Sequence, residues 1–138
     1  MRSLDLNINR ILLPHLGILA GLCLLVQVLT AARGSKIDLI AGLLLVAVAA
    51  YYFYFQYSAR TALRQVRFGQ LVAHAAGLVI VNLSYHLHAG LLLVLDKRDL
   101  LDENWAGLLL GMFAFWGIGF LVHLVASVAM RGYESLDL

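Results

Sequence analysis

Five histidines, His15, His74, His86, His88 and His123, are the side chains best placed to do chemistry. Each lies in a long apolar stretch without an Asp, Glu, Lys or Arg. Imidazole titrates near neutral pH, ligates transition metals and haem iron, and hydrogen-bonds through two distinct nitrogens. His15 falls near the start of the first apolar stretch, His74 near the start of the third, and His123 about two turns before the end of the fourth. If the stretches are antiparallel helices, these three share one level. His74 and His123 are then candidate ligands for haem or a metal, with His15 as a third metal ligand. The same level also suits interhelical hydrogen bonding or proton transfer. His86 and His88 are two residues apart and point to different helix faces, so they cannot both clasp one ion.

The stripes around these histidines are polar and aromatic. At about 100° per residue, Trp105, Trp116 and His123 share one side of the fourth helix, with Gly119 about 40° away. On the third helix, Tyr85 and His88 lie within about 40° of His74, and Asn82 is about 80° round. This predicts a seam between the third and fourth helices, with Trp116 at its centre. Gly107, Gly111, Gly117 and Gly119 would allow close backbone approach, and Asn82 would hydrogen-bond across the contact. Other chemistry is poorly supported. No glycine-rich phosphate loop, H-E-x-x-H or nucleophile with a triad context occurs. No charged residue lies within a helix to serve a pump or a coupled transporter.

Four apolar runs, residues 11–32, 39–59, 68–95 and 104–130, position these groups. Each is about 20 residues or longer, enough to cross roughly 30 Å of hydrocarbon as a helix. Lipid offers no hydrogen bonds, so a backbone within it must satisfy its own. The expectation is an all-α polytopic membrane protein. A single domain over 1–138 would hold helices near 11–32, 37–59, 68–95 and 104–130, as two antiparallel hairpins in one bundle. With 62% hydrophobic residues in 138 and a mean hydropathy of +0.88, little remains for a water-soluble core. Cys23 is the only cysteine, so no intramolecular disulfide is available, and the one proline, Pro14, lies near a helix start. The first run exceeds the usual signal-peptide core, so the helix is expected to be retained.

Charge sets the expected orientation. Both termini and the 58–67 segment share one side, with Arg2, Arg10, Arg60, Arg64, Arg67 and Arg131 against Asp5, Glu134 and Asp137. The other side carries Arg33, Lys36, Lys97 and Arg98 against Asp38, Asp96, Asp99, Asp102 and Glu103. Six cations against four place both termini in the cytoplasm of a bacterial inner membrane. Tyr51, Tyr52, Phe53, Tyr54, Phe55 and Tyr57 read as an aromatic belt at that interface, and Trp105 marks the opposite one.

One segment carries a family pattern. His74 is followed eight residues later by Asn82, and Phe115-Trp116-Gly117-Ile118-Gly119-Phe120-Leu121-Val122-His123 follows a G-W-G-I-G-L-x-x-H template. With the basic entry Arg64 to Arg67, residues 67–131 resemble the bacterial two-transmembrane ("two-TM") domain family. Leu78 stands where that family commonly has tyrosine, and the loop between the two helices is longer and more acidic. The resemblance implies a membrane module found alone or attached to signalling proteins such as histidine kinases. It also implies that His74 and His123 are neighbours, with the first two helices an added hairpin.

The resulting functional expectation is a non-enzymatic membrane module, a sensor, anchor or assembly subunit acting through helix packing and oligomerisation. Its partners would be the lipid bilayer and either further copies or a larger membrane complex, with no nucleic acid. A b-type haem or quinone-interacting electron carrier is the alternative, and an oligomeric pore the third reading.

Overall fold

The computed structural model describes residues 8–130. Helix α1 (Ile8–Ala32) is followed by α2 (Leu39–Ser58) and a short α3 (Arg60–Arg64). Helix α4 (Gly69–Val94), a 3-10 turn (Arg98–Leu100) and α5 (Glu103–Ala129) complete the chain. Helices α1, α2, α4 and α5 are long and apolar enough to cross a membrane, and they form an all-helical four-helix bundle.

Local chemistry sets the boundaries. Helix α1 ends in a Schellman motif: Gly34 N–H donates to Ala31 O at 3.0 Å and Ser35 N–H to Thr30 O at 2.8 Å. Gly34 takes the required positive φ of 79°. Helix α2 starts at Leu39, two residues after the expected boundary. There the Asp38 carboxylate accepts from Ile40 N and Ala41 N, both at 3.0 Å, and pairs with Arg33. Helix α4 ends as α1 does, but with Asp96 in the left-handed position. Asp102 then caps α5 through Asn104 N at 3.0 Å. Between α3 and α4 the chain turns so tightly that a Cβ on Gly69 would collide with the Leu63 carbonyl. Leu63 itself is fully enclosed and plugs that end of the bundle with Leu12 and Ala73.

Helix α4 is the most enclosed span. It packs on α1 and α5 and buries Ala73, Gly77, Val81, Asn82, Tyr85, His88, Ala89 and Leu92. The outward faces are as apolar as the interior, with Leu24, Val46, Val94, Leu110 and Val125 all exposed. In lipid this face is solvated, so helix association rests on shape and polar contacts rather than on removal of apolar surface from water.

The charges segregate by end. Arg10, Arg60, Arg64 and Arg67 mark the α3 end with no acid among the described residues. Arg33, Lys36, Lys97 and Arg98 mark the other, beside five acids. Arg2, Asp5, Arg131, Glu134 and Asp137, which entered the orientation count, lie outside the described residues. The described cations alone divide evenly.

Candidate functional site

Tyr52 joins all four spans. It lies in the aromatic run of α2, is 1% exposed, and crosses the bundle towards α4. Its ring meets His15 of α1 at 6.0 Å, His74 of α4 at 5.4 Å and Trp116 of α5 at 4.5 Å between centroids. A Cβ on Gly77 would run into the same ring, so only glycine lets α4 come this close. The Tyr52 hydroxyl accepts from Gln56 Nε2 at 2.7 Å. Sequence reasoning treated the run as one interfacial belt. The structure divides it: Phe53, Tyr54 and Tyr57 are exposed, whereas Tyr52 is the hub of the interior.

Around this hub the histidines form a connected set. His74 and His123 stack with centroids 4.0 Å apart and planes tilted by 33°. Gly119, one turn before His123, sits against the His74 ring, where an added Cβ would lie 3.4 Å from Cδ2. His15 stacks on Phe55 at 3.4 Å, and its Nδ1 is 3.1 Å from the Tyr51 hydroxyl. His15 meets the pair only through Tyr52. Among the described residues no three His, Cys, Asp or Glu side chains converge on one point for a metal, so His15, His74 and His123 do not form the expected three-ligand set. The stacked pair does not fit haem either. Rings 4.0 Å apart leave no layer for a macrocycle between them, whereas two axial imidazoles would stand on its opposite faces.

A second polar cluster occupies the other end. His88 donates from Nδ1 to Gln27 Oε1 at 2.7 Å, which leaves Nε2 to accept from the Ser35 hydroxyl at 3.1 Å. Trp105 Nε1 donates to Ser35 O at 2.8 Å, and its ring meets His88 edge-on at 5.1 Å. Trp105 is therefore a buried lock between α5 and the α1–α2 turn, rather than the interfacial marker expected. His86 is exposed and bonds back to Asn82 O at 2.8 Å, so the two neighbouring histidines do face different ways.

The remaining expected residues divide. Trp116 is buried between Tyr52 and the α2–α5 contact. Asn82 is buried, but its Nδ2 donates to Leu78 O of its own helix at 2.9 Å instead of crossing to α5. Cβ atoms on Gly107, Gly111 and Gly117 would meet nothing within 4 Å, so close approach is carried by Gly77 and Gly119. No family model, curated protein or solved structure matches the chain.

Proposed function

We propose that this chain is a non-enzymatic membrane module that acts through the packing of its four spans. The observation that carries this reading is the Tyr52 junction. Its histidines face one another and aromatic rings rather than a shared reaction centre, and one side chain touches every span. A perturbation of that junction is felt by the whole bundle, which suits a sensor or an assembly subunit. The resemblance of residues 67–131 to the two-TM family supports the same reading, because His74 and His123 are the residues that the pattern pairs. We place the module in a bacterial inner membrane with both termini cytoplasmic, as the arginines at the α3 end favour. Homo-oligomerisation belongs to this proposal, with the exposed small residues of α1 and α5 available to another helix.

The test is an absorption spectrum of the detergent-purified protein, oxidised and then dithionite-reduced, combined with His123→Ala. The expected result is no Soret band and a destabilisation of about 1 kcal/mol from the lost ring contact. A Soret band that His123→Ala abolishes would replace this reading with a b-type haem protein. Unchanged stability and oligomeric state in His123→Ala would remove the junction from the function.

A further inference from the structure

A groove of about 500 Å³ runs between α1 and α4 on the lipid-facing side, lined mainly by Leu24, Val28, Leu83, Leu87 and Leu91. Three polar side chains also line it: Gln27, Ser84 and His88. Ser84 donates its hydroxyl to Val81 O at 2.8 Å, and both His88 ring nitrogens are engaged by Gln27 and Ser35. Gln27 uses its oxygen on His88, and its Nε2 is buried without a partner. Thr30 Oγ1 and the Tyr85 hydroxyl, on the same two helices, are also buried and unpartnered. Buried polar atoms without partners are uncommon and costly, so a cluster of them beside an open groove points to a missing hydrogen-bonding occupant.

The lining restricts what that occupant is. No charged residue lines the groove, so the ligand is neutral. The free group is an amide N–H, so the ligand presents an acceptor such as a carbonyl. Gln27 lies six residues before Arg33, about 9 Å along the helix into the apolar region. The ester carbonyls of a phospholipid are tethered to a headgroup at the interface. A quinone has no such tether, and its carbonyl ring can enter that far with its apolar tail along the leucines. We propose that the α1–α4 groove binds a quinone, with one ring carbonyl accepting a hydrogen bond from Gln27 Nε2. Ser35, His88 and Gln27 fix that amide, so the site is preformed. It is separate from the Tyr52 junction and does not depend on the function proposed above.

Decylubiquinone titrated into the detergent-solubilised full chain tests this, with tryptophan fluorescence as readout because Trp105 touches His88. Saturable quenching is expected, about tenfold weaker in Gln27→Leu, the size of one lost hydrogen bond. Gln27→Leu also unpairs His88, so Ala31→Phe, which fills the groove and spares the polar chain, provides a second variant and should abolish saturation. Val125→Phe, on the lipid face of α5, should titrate like the parent. Non-saturable quenching, or equal affinity in Gln27→Leu and Ala31→Phe, would overturn the proposal. Displacement of the quinone by equimolar dioleoylglycerol would assign the groove to an ester lipid and overturn it as well.

Discussion

The two ends of the bundle hold their histidines by different physics. At the α3 end, His15, His74 and His123 sit among rings, tied by stacking and edge contacts to Tyr52, Trp116 and Phe55. At the opposite end, His88 is held by hydrogen bonds to Gln27 and Ser35, and Trp105 closes the arrangement on a backbone carbonyl. Ring contacts depend on shape and tolerate small displacements. Hydrogen bonds depend on direction, and in an apolar interior they leave a costly orphan when one partner goes. The first end is a packing joint and the second a polar lock.

Removing the hub should give the largest effect. Tyr52→Ala is expected to cost about 3–5 kcal/mol, the range for deleting a buried aromatic ring, read as the unfolding free energy in mixed micelles. Gly77→Ala sharpens the point. Alone it should cost about 1–3 kcal/mol by overpacking against the ring. In a Tyr52→Ala background it should cost close to nothing, because the atom it collides with is gone. Equal costs in both backgrounds would break the idea of a ring-centred joint.

At the other end, Trp105→Phe keeps the ring and removes the donor to Ser35 O. A loss of about 1–3 kcal/mol is expected. The readout specific to a lock is faster hydrogen exchange at Ser35 and Lys36 without change near Tyr52. Exchange that rises equally at both ends would show one cooperative core instead of two independent regions.

The smallest effect should come from acid. The Ala41 and Ile40 amides and the Arg33 guanidinium hold the Asp38 carboxyl below its ordinary value. Its contribution is therefore fully present above the ordinary carboxylate pKa and is lost as pH falls through the lowered value of the folded state. Amide exchange at Ile40 and Ala41 should quicken in that window, and Asp38→Ala should show quick exchange at every pH. Protection that does not vary with pH in the parent would remove Asp38 as the cap.

The spans were legible because each holds about 20 or more residues without a charge, a signal that needs no knowledge of packing. Which face of each span turns inward was much less legible. In a soluble helix the apolar stripe marks the core, but here Leu24 and Val125 face lipid with the same chemistry as the buried Leu19 and Val26. Polar residues were the remaining guide. They placed Trp116 and the histidines on inward stripes, and His74 and His123 do meet. They misled at Asn82, whose amide found a carbonyl one turn back on its own helix. Tyr52 was hidden among six aromatic residues that share the belt's composition. Its distinguishing mark is Gly77 on another helix, and no local pattern links the two. Gln27 was passed over because a lone glutamine gains meaning only from the histidine that meets it.

Helix α2 has 20 residues, against 25, 26 and 27 for its three spanning neighbours. At 1.5 Å per residue it is about 30 Å long and matches the hydrocarbon core when upright, while the others overshoot by several ångströms. Longer spans adapt to a thicker bilayer by standing straighter; α2 has no such reserve. Thickening would pull at its two ends, at the Asp38 cap and at Ala59 before α3, and would draw Tyr52 along the bundle axis past Gly77. The shortest helix carries the side chain that touches all the others, so membrane thickness itself acts on the joint.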